Sequence, residues 1–400
     1  MPLTNATAEQ LPLSDLTVVD LTQVIAGPFA TMLLGDLGAE VVKIEAIGRG
    51  DRAREFSPYP EYFDTINRNK HSVALDLKAE AGQAVARTLL EDADVFIESM
   101  KPGRVENFGL SYEAVREINP EIVYCSISGF GRGSPYEDVP AWDMVVQAMS
   151  GIMSITGTEE TPPLWSGLPS GDLAAATYTV QSVLAALYAR ETGQIEGEWV
   201  EVPMFDAAIS WLCARAGYTW GTDEPFPRFG TYHPSAAPFG VFEAADGSLV
   251  IAASTDSLWQ ALCAELDRPD LLADDRFDDR DKRVEHTDQL HDELEATLAA
   301  ASVETWVERL HDAGVPAGPI HDTKSVWQDD HVTQRGLQVT AERDQRQDAQ
   351  MVDHPIHFRN LATSLRVPPQ ELGESTDDVL AEHGYSPEEV ERLREQGVVD

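Results

Sequence analysis

Short apolar segments rich in β-branched residues alternate with helical segments through the first third of the chain. The strand-like LTVVDL (16–21) precedes GPFATMLLGDLG (27–38), which has helical spacing, and AEVVKIE (39–45) follows as a second strand. Two further strand-like segments, ADVFIES (93–99) and EIVYCSIS (121–128), each follow a helical segment. This alternation predicts an α/β fold built on a mostly parallel, doubly wound sheet.

The second half of the chain changes in composition. A long helical segment (172–193) is followed at 221–240 by a stretch rich in proline and glycine, which is typical of a linker or an active-site loop. The next segment, GVFEAADGSLVIAAS (240–254), predicts a β-hairpin that turns at its Asp-Gly pair, and helical patterns extend from 256 to 313. Because 400 residues exceed one ordinary compact domain, we expect two domains or one elaborated domain.

The charge balance is strongly acidic. There are 69 acidic and 29 basic residues, only six of them lysines, which gives a net charge of −40. Mutual repulsion on this scale opposes folding in dilute buffer, and at about 1 M salt a Debye length of about 3 Å screens most of it. The composition is typical of a halophilic protein in a salt-rich cytoplasm, and it disfavours nucleic-acid binding.

The sequence shows no sign of export, membrane insertion or a metal site. Residues 1–16 lack the basic and apolar regions of a signal peptide, and no stretch reaches the roughly 18 apolar residues that span a bilayer. The three cysteines, Cys125, Cys213 and Cys263, lie too far apart in sequence for a zinc ribbon or a disulfide framework. The ten histidines show no metal-ligand spacing, so the expectation is a soluble cytoplasmic protein without bound metal.

The few basic residues are concentrated between positions 43 and 104. They either bind an anion, which in such a cluster is usually a phosphate, or pair with the carboxylates of the same segment. The ten residues are Lys43, Arg49, Arg52, Arg54, Arg68, Lys70, Lys78, Arg87, Lys101 and Arg104.

Common catalytic motifs are missing from the sequence. The turn after the first strand is TQVIAGP, not G-x-G-x-x-G, and GFGRG (129–133) leads into SPYEDVP instead of a helix. A nicotinamide-dependent enzyme is therefore disfavoured. No P-loop, H-E-x-x-H or G-x-S-x-G pattern occurs, which also disfavours an NTPase, a metalloprotease and a serine hydrolase.

Two aspartates remain as candidates for chemistry. Asp172 follows Gly171 at the start of a long apolar helix, where it is either an N-cap or a nucleophile. A helix N-terminus favours the ionised carboxylate, and the preceding glycine would let a substrate carbonyl approach the backbone. Asp143 is a second candidate, either for catalysis or as a cap and buried hydrogen-bond acceptor.

Long segments of the chain resemble the class III CoA-transferase family, which includes formyl-CoA and carnitine CoA-transferases and the α-methylacyl-CoA racemases. The resemblance covers most of the chain. The segments that carry it are DLTQVIAGPFATMLLGDLGAEVVKIE (20–45), GRGDRAR (48–54), RNKHSVALDLK (68–78), ADVFIESMKPGRVENFGL (93–110), INPEIVYCSISGFG (118–131), SGDLAAATYTVQSVLAALYARETG (170–193), VPAGPI (315–320) and GESTDDVLAEHGYS (373–386).

The resemblance implies a Rossmann-like large domain formed by residues 1–220, to which a C-terminal segment, 331–400, returns. Residues 221–330 would form a smaller α+β domain, and two chains would interlock as a homodimer. The anion would then be coenzyme A, bound as a substrate and not as a tightly held cofactor. The partners would be an acyl-CoA and a free carboxylic acid.

The resemblance also assigns residues to the CoA pocket, with Lys101 and Arg104 as contacts of the phosphates. Ala46 stands where the family often has an arginine, so Arg49 or Arg52 is expected to substitute for it. The full set for the pocket is Ile25, Ala26, Leu75, Lys78, Ser99, Met100, Lys101 and Arg104.

Asp172 corresponds to the family's nucleophilic aspartate. The resemblance implies an aspartyl anhydride and an aspartyl-CoA thioester on it, backbone N–H groups near Gly171 that stabilise the oxyanion, and orientation by Asp143. Trp142 stands where the racemases have a histidine, which favours CoA transfer over α-proton exchange. A racemase-type isomerase and a CoA-binding protein without turnover stay open as alternatives.

The sequence constrains the identity of the two exchanged acids less than it constrains the reaction. The family's range and a halophilic host suggest succinyl-CoA as donor and mesaconate or a similar dicarboxylate as acceptor. Arg228, Tyr232 and His233 are candidates to bind the distal carboxylate, and the stretch 221–240 is the expected lid over the site.

Overall fold

A six-stranded sheet organises the N-terminal half of the chain in the computed structural model, which describes residues 11–56, 61–343 and 346–400. Its strands are β1 (Thr17–Leu21), β2 (Glu40–Glu45), β3 (Lys70–Ala74), β4 (Val95–Glu98), β5 (Val123–Ser128) and β6 (Glu198–Pro203). They lie in the order β3-β2-β1-β4-β5-β6, and every neighbouring pair is parallel. The predicted parallel, doubly wound α/β architecture is confirmed.

Helices cover both faces of this sheet. They are α1 (Ala26–Asp36), α2 (Glu80–Glu91), α3 (Tyr112–Ile118), α4 (Asp143–Ser150), α5 (Ser170–Glu191) and α6 (Met204–Ser210), and the chain continues into the exposed α7 (Cys213–Thr222). Successive strand side chains point to opposite faces, so in β4 the buried Phe96 packs with α2 and α3. Its neighbours Val95 and Ile97 pack in the core formed with α1 and α5. Burial on both faces explains the near-continuous apolar character of the strands.

The strand order reverses between β1 and β4. In sheets of this order, ligands bind in the crevice outside the carboxyl ends of the strands at that switch point. The turns after Leu21 and Glu98, which end β1 and β4, lie at this crevice. A ligand site is therefore expected at the segments that begin at residues 22 and 99.

The second compact unit consists of residues 154–164 and 225–332. Its antiparallel sheet contains β7 (Phe239–Glu243), β8 (Ser248–Ala252) and β9 (Ala317–Pro319) in that order. The hairpin predicted at 240–254 is confirmed as the β7–β8 pair. The helices of this unit are α8 (Asp256–Glu265), α9 (Pro269–Leu272), α10 (Arg280–Glu285), α11 (Thr287–Leu298) and α12 (Val303–Asp312).

Residues 154–164 differ from the expected division, which placed them in the large domain. They belong to the second unit because the Gly230 N–H donates to the Gly157 carbonyl at 2.8 Å. The guanidinium of Arg228 also donates to the carbonyls of Thr158 and Thr161 at 2.8 and 3.0 Å. These hydrogen bonds join residues 154–164 to a segment about seventy positions later in the sequence.

The C-terminal segment 333–400 belongs to the first unit. It begins within α13 (Asp330–Arg335), and its further elements are β10 (Gln338–Ala341), β11 (Ala349–Val352), α14 (Thr376–Glu382) and α15 (Pro387–Glu395). Val379, Leu380 and Val390 of the last two helices are buried in the same core as α2 and α3. Within the described ranges, no helix has the length and apolar character required to cross a bilayer.

Candidate active site

The turn after β1 is held in a strained conformation by a buried ion pair. Val24 has a φ of 73°, a left-handed conformation that β-branched side chains rarely adopt. Its N–H donates to Asp51 Oδ1 at 3.0 Å. Lys43 Nζ donates to the Thr22 carbonyl at 3.0 Å and lies 3.0 Å from Asp51 Oδ2, with both charged groups buried. The pair therefore fixes the backbone that leads into α1.

The basic residues between positions 43 and 104 are mostly paired with carboxylates. Arg52, Lys78, Arg87 and Arg104 have no carboxylate within ion-pair distance among the described residues. Pairing with carboxylates thus accounts for most of the cluster. The ion pairs are Lys43–Asp51 (3.0 Å), Arg49–Glu55 (2.8 Å), Arg54–Glu45 (2.6 Å), Arg68–Asp36 (2.7 Å), Lys70–Asp20 (3.2 Å) and the exposed Lys101–Asp138 (3.4 Å).

Asp172 lies in the first turn of α5 but does not cap it. The Gly171 N–H donates to Asp143 Oδ1 at 2.8 Å, so the cap is supplied from the start of α4. The interpretation of Asp172 as an N-cap is therefore wrong. Asp172 is half-buried, and the backbone N–H of Ala26, the first residue of α1, lies near enough to its carboxyl group to act on the pKa.

Gly171 is required by the neighbouring side chains. A Cβ at this position would lie 3.1 Å from Asp143 Oδ1 and 3.1 Å from Val146 Cγ1, closer than most Cβ contacts. The missing side chain therefore admits the Asp143 carboxylate instead of a substrate carbonyl. Since the Gly171 N–H already donates to Asp143, it is not available to an oxyanion, and the Ala26 N–H is the donor that faces Asp172.

The pKa of Asp172 is raised to about 7. Burial is the main cause because it penalises the charged form, and the nearby charge of Asp143 adds to the effect. The hydrogen bond from Ala26 acts in the opposite direction. The expectation that the helix N-terminus keeps this carboxylate ionised is therefore wrong, and both protonation states are populated at neutral pH.

A buried amide ties Asp143 to the turn before α5. Gln147, which is 0% exposed, donates through Nε2 to Asp143 Oδ2 at 2.6 Å and to the Leu168 carbonyl at 2.8 Å. Its Oε1 accepts from the Ser166 N–H at 3.2 Å, and Trp165 Nε1 also donates to Asp143 Oδ2 at 3.2 Å. Asp143 thus accepts hydrogen bonds from Gly171, Gln147 and Trp165. These contacts suit a side chain that positions the start of α5.

The charges of the two aspartates also reach the side chain of Tyr62. Its half-buried phenol has a pKa raised to about 12, by burial and then by the charges of Asp172, Asp143 and Asp51. A hydroxyl influenced by these carboxylates is suited to donate to a carboxyl oxygen near Asp172. No motif surrounds Tyr62, and only the tertiary fold brings it to residues far along the chain.

Four of the residues assigned to CoA lie at the switch point of the sheet. Ile25 and Ala26 follow β1, and Ser99 and Met100 follow β4. The Gln23 N–H donates to Ser99 Oγ at 3.1 Å, which joins the two turns directly. The structure therefore brings these two turns together, and Ala26 of the first turn is near the Asp172 carboxyl group.

The other assigned residues are spread along the same edge of the sheet. Lys78 is exposed after β3, and Lys101 and Arg104 are exposed after β4. Leu75 is 1% exposed and packs in the sheet core, so its side chain does not line an open pocket. The reason is that Leu75 extends β3, with its N–H donating to the Glu45 carbonyl at 2.8 Å.

The candidates for the distal carboxylate lie in the second unit and have partners there. The guanidinium of Arg228 donates to two backbone carbonyls, as described above. Tyr232 packs on the buried ring of His291 at 3.9 Å. His233 stacks on Phe239 at 4.9 Å, and its Nδ1 accepts from a backbone N–H. The pKa of the Tyr232 phenol is raised, mainly by burial and also by the negative charges of nearby carboxylates. These charges would repel a negatively charged ligand at this position.

Comparison with known proteins identifies the family. A family model described as CoA-transferase family III matches residues 13–376. The chain belongs to this family. Family III CoA-transferases are enzymes whose substrates include CoA thioesters, so this chain is an enzyme of that class.

Three family III relatives illustrate the similarity. A succinyl-CoA:mesaconate CoA-transferase of Haloarcula hispanica is 40% identical over 81% of this chain and 84% of its own length. A succinyl-CoA:glutarate CoA-transferase of Mus musculus is 34% identical over 97% of this chain and 90% of its own. A crystal structure of a CaiB/BaiF family protein from Brucella suis is 31% identical, with a TM-score of 0.86 over 93% of this chain and 99% of that chain.

Proposed function

We propose that this family III enzyme moves CoA from an acyl-CoA to a free carboxylic acid through covalent intermediates on Asp172. The observation that carries the proposal is the Asp172 carboxylate itself. It is partly exposed, does not cap its own helix, and meets the Ala26 N–H at the carboxyl edge of the sheet.

The first half of the reaction transfers the CoA group to the enzyme. An ionised Asp172 oxygen attacks the thioester carbonyl, the C–S bond breaks, and an aspartyl-acyl anhydride and a CoA thiolate form. The thiolate then attacks the aspartyl carbonyl of the anhydride. The C–O bond of the anhydride breaks, the donor acid leaves as a carboxylate, and Asp172 becomes a CoA thioester.

The second half repeats these steps in reverse with the acceptor. The incoming carboxylate attacks the aspartyl thioester and releases the thiolate, and the thiolate then attacks the acceptor carbonyl of the new anhydride. Asp172 is regenerated as a carboxylate. Each step exchanges one activated acyl bond for another, so no ATP is consumed.

The surrounding groups have separate roles in this scheme. The Ala26 N–H is placed to donate to the oxyanion that forms on the Asp172 carbonyl. Asp143 positions the start of α5 and does not exchange protons, because its oxygens already accept from Gly171, Gln147 and Trp165. Exclusion of water by a lid at 221–240 stays a prediction.

The substrates proposed are dicarboxylic. Relatives from Haloarcula hispanica and Mus musculus are named for succinyl-CoA as donor and for the diacids mesaconate and glutarate as acceptors. These names support succinyl-CoA as the donor and mesaconate or a similar diacid as the acceptor for this chain. The phosphates of CoA are assigned to Lys78, Lys101 and Arg104, which are exposed at the carboxyl edge of the sheet.

The test of the function compares the wild-type enzyme with Asp172→Asn. With succinyl-CoA as donor, we expect the wild type to convert labelled mesaconate into labelled mesaconyl-CoA, and the variant to lose this transfer by a factor of about 10³ or more while still binding CoA. Retained exchange in the variant would exclude Asp172 as the nucleophile. A parallel incubation in deuterated water without acceptor tests α-proton exchange, and deuterium in the recovered acyl-CoA would instead indicate an isomerase.

The homodimer is a further part of the proposal. Helix α7 has no buried residue within the chain, and Trp220 on it is 84% exposed. Tyr188, Ile209 and Trp211 on or beside the preceding helices are also exposed. A second copy of the chain covering these apolar side chains would account for them. Sedimentation should give a dimer that Trp220→Glu weakens, and a monomeric wild type would contradict the proposal.

A salt-rich cytoplasm is the proposed environment. The net charge of −40 supports it, and so do the three cysteines, all of which are free thiols.

A further inference from the structure

Arg52 is an exposed cation that forms no ion pair with any carboxylate among the described residues. The neighbouring arginines, Arg49 and Arg54, are both paired with glutamates. Arg52 contacts an aromatic ring, and its charge also adds, after that of Arg49, to the lowered pKa of the Glu55 carboxyl, with which it forms no ion pair. In a chain with a net charge of −40, such an arginine is a natural receptor for a negatively charged group of the substrate.

One connection to the nucleophile runs through Trp142. The guanidinium carbon of Arg52 lies 5.2 Å from the centre of the Trp142 ring. Trp142 directly precedes Asp143, whose carboxylate accepts the Gly171 N–H at 2.8 Å. Arg52 thus contacts the side chain adjacent to the group that positions the start of α5.

A second connection runs through the turn after β1. Asp51 caps the short 3₁₀ helix that begins at Arg52, and its Oδ1 also accepts the Val24 N–H at 3.0 Å. Two residues later, the Ala26 backbone N–H lies near the Asp172 carboxyl group and acts on its pKa. The backbone that carries Arg52 is therefore joined to the turn that contacts the nucleophile, and both connections lie within the first unit.

The chemistry of this pair suits a carboxylate. The exposed indole of Trp142, 48% accessible, attracts the guanidinium through its π face and limits the orientations of the side chain. The planar fork of N–H groups then remains able to bind both oxygens of a carboxylate. Lysine would lack both the stacking surface and the bidentate geometry.

We propose that Arg52, oriented by Trp142, binds the second carboxylate of a diacid substrate while its first carboxylate reacts at Asp172. The inference rests on the proposed function, to which it adds a specificity determinant. It gives Arg52 a role different from the CoA phosphate contact that the family resemblance suggests for Arg49 or Arg52. The enzyme then prefers diacids of four or five carbons to monocarboxylic acids of equal length.

The test uses Arg52→Gln in the full-length enzyme, with Arg116→Gln as the matched control. Arg116 is an exposed arginine on α3 that also lacks an ion pair in the described part of the chain, so the control removes the same charge elsewhere. With a fixed acyl-CoA donor that carries no second carboxylate, such as propionyl-CoA, we expect Arg52→Gln to raise KM for succinate by about tenfold and to leave KM for butyrate unchanged. The KM for the acyl-CoA should stay the same, and the control should alter none of these values.

Two results would overturn the inference. An equal effect on succinate and butyrate would show that Arg52 does not bind the second carboxylate. A raised KM for the acyl-CoA, with the preference for succinate retained, would identify Arg52 as a CoA phosphate contact.

Failure of the proposed function would look different, because the wild type would then transfer CoA to no acid. In that case, calorimetric titration of glutarate and butyrate into the wild type and Arg52→Gln still decides the inference. A glutarate affinity that is the same in both proteins would contradict it.

Discussion

Asp143 and Asp172 are two carboxylates with different roles at the start of one helix. Asp143 accepts hydrogen bonds from its surroundings, whereas Asp172 has a partly exposed carboxylate whose pKa is raised to about 7 by burial and by the charge of Asp143. Asp143 is thus a hydrogen-bond acceptor that positions the backbone at the start of α5. Burial and the like charge of Asp143 make Asp172 a candidate nucleophile that titrates near neutral pH.

The first prediction concerns the pH dependence of transfer. Because only ionised Asp172 attacks a thioester, kcat/KM should rise with pH through an apparent pKa of about 7. Asp143→Asn removes one of the two causes of the raised pKa, so the acidic limb should move down by about one pH unit. Steady-state rates between about pH 5 and about pH 9 measure the shift. A control, Glu113→Gln on α3, should leave the limb in place, and an unmoved limb in Asp143→Asn would refute the coupling.

The second prediction concerns His291, which is buried in the second unit between the rings of Phe242 and Tyr232. Neither of its ring nitrogens has a hydrogen-bond partner among the described residues, and burial lowers its pKa to about 4, although Asp288 and Asp292 act in the opposite direction. Since this value lies below the ordinary 6.5, the unfolded chain binds the proton more readily, and stability falls as pH drops from about 6.5 toward about 4.

His291→Phe should therefore raise Tm, and the gain should be larger near pH 5 than at pH 8, as thermal unfolding followed by circular dichroism would show. Leu290→Ala, which removes a buried apolar side chain from the same helix, should lower Tm at both pH values. A gain independent of pH would mean that the imidazole does not titrate on unfolding.

At the scale of single elements, the turn between β1 and α1 combines strain with function. Val24 is held at a φ of 73° by hydrogen bonding to the Asp51 carboxylate, and the same turn presents the Ala26 N–H to Asp172. Left-handed strain at a non-glycine residue costs about 1–3 kcal/mol, and it persists because the surrounding contacts outweigh it.

Val24→Gly tests this strain. Glycine adopts the left-handed conformation freely, so the substitution relieves the strain. Ordering a glycine costs about 0.5–1 kcal/mol of additional chain entropy, which offsets part of this gain. The free energy of unfolding should therefore be unchanged or higher by about 1 kcal/mol. The control is Ile25→Gly, where φ is −125° and no strain is relieved, and it should lower the free energy of unfolding by at least about 1 kcal/mol. Urea titration measures both, and equal losses in the two variants would argue against a strained turn.

The elements also show what sequence patterns reveal and what they miss. Most strands of the large sheet are apolar and were predicted, but β3 begins with Lys70 and His71 and has no apolar run to mark it. Lys70 is buried there because it pairs with Asp20 at 3.2 Å, a partner fifty residues away. Likewise Asp172 is identifiable from its motif, whereas its cap from Asp143 and its neighbour Tyr62 depend on tertiary contacts.

At the scale of the whole molecule, the excess of negative charge should make stability depend on salt. A net charge of −40 repels itself most strongly at low ionic strength, where the Debye length is about 10 Å at 0.1 M. Raising KCl from about 0.1 M to about 2 M should therefore increase Tm, and NaCl should give a similar increase because screening depends on ionic strength. Differential scanning fluorimetry measures this, and a Tm that is constant or falls would contradict adaptation to high salt.

The fold and the proposed chemistry meet at one carboxylate. The parallel sheet places the turn after β1 at its switch point, α1 begins there, and α5 brings Asp172 to the first N–H of α1. Covalent transfer at this position requires that Asp172 be acylated or thioesterified during turnover.

The most direct measurement is therefore the position of the covalent intermediate. The enzyme is quenched with hydroxylamine during exchange between succinyl-CoA and mesaconate, digested, and mapped by mass spectrometry. The account predicts a hydroxamate on Asp172 that requires acyl-CoA and is missing from Asp172→Asn. Continued exchange with Asp172 unmodified, or with the hydroxamate on another carboxylate such as Asp143, would contradict it.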